Sequence, residues 1–524
     1  MATVPADREG HIVLLANGPW ADGKQLCIFA TRLVTLRPIH VTVFTNEAFL
    51  ERAKREVSSE LAGVGAVGHV RIVALPSDTH KHFVDPVFEA AFARVYRQLL
   101  SGEPVQCVTT GEQLGPLPLP QAIVTPKNST LESLQRLRKE TGADVKLLIW
   151  YARVPSTLFF FHGPANRGGV GDVRAKVRAE AERRRTSPEE AFEETIHFLD
   201  SVLIRIPGYE PLYNHEVQPQ ELAYHGTLGV EWLTIYDMFT SCDGVLMSTP
   251  ECFDPLSIIG TRAWMGETAR GAYAVGPLLS TGARAVENEL MDADRGTEIR
   301  DFVSRVMKSH GPQSLLYISL GSWMWPKYPE KLWTFLDVVM DLGIPFILSH
   351  ASEHAEIPDE VRHTVDRYPL GLLSSWCPQQ MILNHPVTAW FLTHCGHNSV
   401  MESISAGVPM ICWPFVGDGA LNAIHLSDTL KCAYELLEVR TGHGLERIYR
   451  TGARALGTPQ AVRAEALQVL ASAFGEDGAR KRANVRKMQA RFEGVWAHEG
   501  GDGGGEEAGE SVRATETFLR DLGL

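Results

Sequence analysis

The chain lacks a cysteine framework. Its eight cysteines, spread over 524 residues at 27, 107, 242, 252, 377, 395, 412 and 432, form no C-x-x-C pair. That scatter excludes a disulfide-stapled mini-domain and reads as reduced thiols. An excess of basic charge is also missing. Fifty Lys and Arg against 63 Asp and Glu leave a formal charge of −13, the wrong sign for gripping a polyanion over a broad surface, so no nucleic-acid partner is expected. Long hydrophobic runs are absent too. The opening MATVPADREG has no basic n-region, the apolar stretch Ile12 to Ala16 is far shorter than a signal core, and Val145 to Phe161 is interrupted by Arg153 and Pro155. A soluble, cytoplasmic protein with no transmembrane segment is expected. What is present is ordinary globular material, with 44% apolar, 22% charged and 8% aromatic residues, enough for two to four domains.

Short apolar runs alternate with helical patterns from the start: IVLLA, HVTVF, HVRIVAL and AIVT are separated by helix-like stretches, including helices from Glu47 and Asp85. Continuous apolar strands between amphipathic helices indicate an α/β chain whose parallel sheet is covered on both faces. The order recurs after residue 310 with SLLYISLG, PFILSH, LLSSW, TAWFLTHC, PMICWP and AYELLE. Two Rossmann-like, doubly wound domains are expected, at 1–279 and 312–500, facing across a cleft. Residues 280–311 form the expected linker with a short helix. Residues 162–190, with Arg183, Arg184 and Arg185 in succession, read as a solvated insertion or, more sharply, as a gating loop. The glycine-rich acidic stretch that opens 501–524 reads as a flexible loop, followed by a terminal helix with Ser511 available as its cap.

Gly63, Gly65 and Gly68 satisfy G-x-G-x-x-G but follow a helix and precede a strand, the reverse of the order a dinucleotide needs. The chemistry lies instead between Trp376 and Gly419. The strand TAWFLTH ends at Cys395-Gly396, and His397, Asn398 and Ser399 open a helix at once. Unpaired amides and the positive end of the helix dipole make such a start an anion site, suited here to a diphosphate. His394, just before the turn, can donate to that phosphate. Glu402, one turn into the helix, can accept from two ribose hydroxyls. Trp376 can stack on a base whose polar edge is read by the Cys377 backbone and Gln379. Taken together these elements fit a nucleotide. His394, Cys395 and His397 match no closed zinc pattern, and no metal is expected.

This stretch resembles the donor-binding signature of family 1 UDP-sugar glycosyltransferases, best known from plant secondary-product enzymes. The matching residues are Trp376, Pro378, Gln379, His385-Pro386, Thr393 through Gly396, Asn398-Ser399, Glu402-Ser403, Ala406 through Pro409, Trp413-Pro414, Asp418 and Asn422. Weaker similarity runs from about Ser314 to Val439. The resemblance implies the GT-B fold with a final helix returning to the first domain, and metal-independent inverting transfer with a UDP-sugar as co-substrate and no other cofactor. It implies uracil stacking at Trp376, base and ribose contacts at Cys377 and Gln379, and ribose hydroxyls on Glu402. Diphosphate contacts fall to Ser322, His394, Gly396, Asn398 and Ser399, and sugar hydroxyls to Asp418. The implied acceptor is a small hydrophobic metabolite, a terpenoid or phenolic, held by the first domain with the aromatic run Phe159 to Phe161.

Four positions depart from the pattern. His397 stands where plant members usually have Trp, and Gly419 where they usually have Gln; loss of that amide opens space and leaves hexose and xylose donors both in play. The usual catalytic His is missing. An ungapped alignment puts Asp22 in its place, a two-residue shift would put Lys24 there, and Thr125 stands where the partner Asp is expected. Asp22 is therefore the candidate base, with His394 as the second catalytic residue. His11 reads as structural. The competing class is a catalytically inactive UDP-sugar-binding protein.

Overall fold

The computed structural model describes residues 10–62, 69–78, 85–126, 131–169, 171–188, 190–191, 201–222, 236, 238–280, 282–293, 295–498 and 507–524. The glycines 63, 65 and 68 lie outside them. The chain divides into two compact units, the first comprising 1–155, 229–285 and 494–524 and the second 156–228 and 286–493. Both units are discontinuous in sequence, whereas the sequence reading drew one boundary near 280.

The first unit is built on seven parallel strands: β1 (His11–Ala16), β2 (His40–Asn46), β3 (Val70–Leu75), β4 (Ala122–Pro126), β5 (Lys146–Tyr151), β6 (Gly244–Met247) and β7 (Gly271–Ala274). Their order is β7-β6-β5-β4-β1-β2-β3. β1 is buried at every position, as expected of a central parallel strand with helices on both faces. Helix α1 (Trp20–Leu36) follows β1 and presses Leu26, Phe29, Ala30 and Leu33 onto the sheet. The terminal helix Glu510–Asp521 closes this core with Phe518 and Leu519, and burial of such side chains contributes about 1.5–3 kcal/mol each. Its cap is Gly509, not Ser511. Ser511 is buried and gives its hydroxyl to the Gly276 carbonyl, because the chain enters the helix two residues earlier than its sequence suggests.

The second unit carries six parallel strands: β8 (Leu315–Ser319), β9 (Phe346–Ser349), β10 (Gly371–Ser374), β11 (Thr388–Thr393), β12 (Met410–Cys412) and β13 (Ala433–Glu435). Their order is β10-β9-β8-β11-β12-β13. The chain winds outward from β8 in one direction, then returns to β11 and winds in the other. The switch point therefore falls between β8 and β11, where open α/β sheets bind ligands at the strands' carboxyl ends. Helices Glu330–Asp341 and Pro459–Ala473 pack Leu332, Phe335, Leu336, Val462, Ala466 and Leu470 into the core.

Where a linker with one short helix is expected, two helices form, Gly282–Asp292 and Gly296–His310. The second buries Ile299, Phe302, Val303 and Val306 on one face, the i, i+3, i+4, i+7 spacing of a packed helix. The 162–190 insertion is likewise only half solvated. Helix Val173–Arg184 buries Val173, Val177 and Ala181, while Arg183 and Arg184 pair with Glu180 on its outer side. Phe159, Phe160 and Phe161 are buried and belong to the second unit. They are grouped with that unit, not with the first domain to which the resemblance assigned them. Among the described residues no helix is long and apolar enough to cross a membrane.

Candidate functional site

Parallel strands deliver their carboxyl ends to one edge of the second sheet, and nearly all the sequence-selected residues arrive there. Ser322 is exposed in the turn after β8. Trp376 and Cys377 follow β10, His394 and Gly396 follow β11, and Asp418 follows β12. Asp22 is the exception. It lies in the first unit, in the first turn of α1, with its amide on the Pro19 carbonyl at 3.0 Å.

His394 is clasped by two glycines. A Cβ on Gly321 would lie 2.7 Å from its Cε1, and one on Gly396 2.3 Å from its Nε2. The ring thus sits against bare backbone, and Gly321, at φ +81°, has a conformation that side chains disfavour. Desolvation is the main influence on this imidazole and lowers its pKa from 6.5 to about 4, against the opposing Asp418 charge and Ser319 carbonyl. It is neutral at pH 7. The unfolded imidazole titrates near 6.5 and the folded one near 4, so the unfolded chain binds the extra proton and this group's share of stability is lost as pH falls through that window. His394→Gln should therefore flatten the fall in thermal midpoint between pH 6.5 and 4; an unchanged slope would refute the assignment. His11 has a similarly lowered pKa of about 4, but it is present in both proteins and cancels. Its ring nitrogens meet the Pro118 carbonyl at 2.8 Å and the Thr42 hydroxyl at 2.9 Å, so His11 is a structural residue.

The turn after His394 is strained and braced. Cys395 is fully buried at φ +63°, a left-handed conformation that costs a non-glycine residue on the order of 1 kcal/mol or more. Its amide donates to the Thr393 hydroxyl at 3.2 Å. Its carbonyl accepts from Asn422 Nδ2 at 2.9 Å, which ties the turn to the helix Asp418–Ile424. Helices α2 (Gln379–Asn384), α3 (His397–Ser405) and α4 (Asp418–Ile424) start along this edge. The residue before α3 is Gly396, which has no side chain to cap it, and the Asp418 carboxylate accepts from the His397 amide at 3.1 Å instead. Asp418 thus has a structural partner that its expected sugar contact did not include.

Gly419 also differs from its sequence reading. A Cβ there would fall 2.6 Å from the His394 carbonyl oxygen, closer than real contacts allow. The glycine marks a close approach of α4 to the His394 turn, and the space beside its Cα is filled by backbone rather than opened for a sugar.

Glu402 is the centre of a polar network. Gln379 Nε2 donates to one carboxylate oxygen at 2.6 Å and Gln380 Nε2 to the other at 3.1 Å. Gln379 also donates to Ser399 Oγ at 3.2 Å and accepts from the Tyr317 hydroxyl at 3.2 Å. Trp376, three residues before Gln379 in the chain, has 38% of its surface exposed, a flat aromatic face available for stacking. Cys377 is buried and its thiol is pushed up to about 11 by desolvation, so it is unreactive and any contact it makes to a ligand is through its backbone. Sequence reasoning overlooked Tyr317 and Gln380, and gave Asn422 no role. The four-residue spacing of Asp418 and Asn422 on one helix was the signal available for Asn422.

Residues 291–443 match the family described as "UDP-glucoronosyl and UDP-glucosyl transferase". UDP-glycosyltransferase eriJ of Hericium erinaceus is 28% identical across 97% of this chain and 99% of its own length. UDP-glycosyltransferase 85A3 of Arabidopsis thaliana is 46% identical over 173 residues, 31% of this chain and 35% of that protein. The crystal structure of a UGT transferase from Siraitia grosvenorii in complex with UDP has the same fold, with a TM-score of 0.66 at 18% identity over 98% of this chain and all of that one. The matched segment contains the whole polar edge described above, and the likeness in fold runs through both units: residues 291–443 carry the UDP-glucuronosyl and UDP-glucosyl transferase family's segment, and the chain has the GT-B fold.

Proposed function

We propose that this enzyme moves a single sugar from a UDP-sugar to a hydroxyl of a small hydrophobic metabolite, with inversion at the anomeric carbon. The observation that carries this reading is the grouping of Glu402, Gln379, His394 and the start of α3 at the switch point of one sheet. Trp376 stacks on uracil, the Cys377 backbone and Gln379 take its polar edge and the ribose, and Glu402 accepts from the ribose hydroxyls. Ser322, Gly396, Asn398, Ser399 and His394 hold the diphosphate, and Asp418 offers its remaining acceptor capacity to the sugar.

In the reaction the acceptor oxygen forms a bond to the anomeric carbon while the carbon–oxygen bond to UDP breaks. The hydroxyl proton passes to Asp22, and the electron pair leaves with UDP. Charge growing on the β-phosphate is stabilised by the α3 amides and by an N–H of the neutral His394. Donors fixed before the reaction are worth most in a water-poor site, and each contributes about 10²–10³ in rate.

UDP at one hundred times its dissociation constant should stabilise the protein by about 2.7 kcal/mol, and a release assay with mixed hydroxylated acceptors should show UDP formation from a UDP-sugar. Stabilisation without release across the panel would support a binding protein instead. Glu402→Ala should weaken UDP binding about 10- to 100-fold, since hydrogen bonds to a charged group are worth about 1.5–3 kcal/mol. Calorimetry that found wild-type affinity in this variant would remove the ribose assignment.

A further inference from the structure

Tyr317 lies in the middle of β8 and is 1% exposed, too deeply buried to touch a nucleotide at the sheet edge. Its ring stacks on Phe391 of the neighbouring strand, 5.0 Å between centroids at 17°, because the two residues are paired in register. The phenol is therefore rigid. Its hydroxyl donates to Gln379 Oε1 at 3.2 Å. The opposite end of that amide donates to both Glu402 and Ser399.

We propose that Tyr317 is a positioning residue for the nucleotide site, which selects ribose over deoxyribose by fixing the Gln379 amide and, through it, the Glu402 carboxylate. This inference rests on the donor reading above and names the device behind its ribose contact. Gln379 is only half-buried, at the first position of a six-residue helix, and its long side chain loses on the order of 1.5–2 kcal/mol of rotamer freedom when held in place. A carboxylate accepts only, so Glu402 dictates that Nε2 faces it. The oxygen end is left pointing inward, and an inward-facing carbonyl with no donor is costly. Tyr317 supplies that donor from a side chain that cannot itself move. The amide is thus held at both ends before any nucleotide arrives, and the carboxylate that reads the ribose is held with it.

The test measures affinity for UDP and for 2′-deoxy-UDP by calorimetry on the full chain. The unmodified protein should prefer UDP. Tyr317→Phe should weaken UDP binding about tenfold while 2′-deoxy-UDP changes by less than about threefold, so the ribose preference shrinks. Tyr317→Met, which also lacks the hydroxyl, should behave alike and serves if the phenylalanine variant does not fold. In a Gln379→Leu background, Tyr317→Phe should have no further effect on UDP affinity. A purely structural role would weaken both nucleotides equally. A UDP-binding Tyr317 variant with an undiminished ribose preference would overturn this inference alone, whereas failure of the unmodified chain to bind UDP would overturn the donor reading and this inference together.

Discussion

Asp22→Asn is expected to lower turnover with a UDP-sugar and a hydroxyl acceptor by about 10²–10⁴, the usual contribution of a positioned general base. Aspartate has a reference pKa near 3.9 against about 6.5 for histidine. It is the weaker base of the two. Asp22 also sits in the first turn of α1, where a carboxylate stabilises the helix dipole by only about 0.3–1 kcal/mol. The two roles separate cleanly. A helix-stabilising residue would cost stability and leave turnover alone; a base would cost turnover and shift the thermal midpoint little. Steady-state rates for Asp22→Asn equal to those of the unmodified enzyme would end its candidacy.

The second large effect concerns a buried ionic network in the second unit. Arg440 and Arg450 donate to opposite oxygens of Glu435 at 2.7 and 2.9 Å, and Arg450 also pairs with Asp428 and lies 3.5 Å from Glu216. Side-chain exposure is 1% for Arg440, 7% for Glu435, 5% for Arg450 and 0% for Glu216. Glu216 in turn accepts from the amides of Tyr213 and Tyr449 at 2.9 and 2.8 Å, which fastens the 213–217 segment to the 440–450 loop. Desolvation pushes the Glu435 carboxyl up, but the charges of Arg450 and Arg440 outweigh it and hold the pKa below the ordinary range. The stability Glu435 supplies is thus present above its unfolded pKa and lost as pH falls through the depressed folded value. Glu435→Ala leaves Arg440 in the interior without its carboxylate and Arg450 with only Asp428 and Glu216, and breaking such a buried pair costs about 3–5 kcal/mol. Denaturant unfolding should register that loss at pH 7, and a loss under about 1 kcal/mol would show that the network adds nothing to stability.

The extent to which the sequence was legible follows from the range of the interactions involved. The ten strands read from apolar runs, from IVLLA to AYELLE, all form, because continuous burial on both faces leaves a local compositional trace. Lys146–Tyr151, Gly244–Met247 and Gly271–Ala274 were missed. The first runs into further apolar residues, and the others are only four residues long with glycine at their start. The donor edge was legible because its residues fall in one segment of 44, Trp376 to Gly419. Tyr317 was not, since it meets Gln379, 62 positions away in sequence, only in the packed sheet.

The sequence alone determined the α/β alternation, the parallel sheets and the family to which the donor segment belongs, since each is written in residues close together along the chain. Only the tertiary structure decided that Phe159 to Phe161 are core, that Ser511 reaches Gly276 rather than capping its helix, that Asp418 holds the His397 amide and that Gly419 makes room for the His394 carbonyl. Those outcomes depend on which strands become neighbours and how near two backbones pass. Strand order and close approach are properties of the packed chain, and local periodicity carries no record of them.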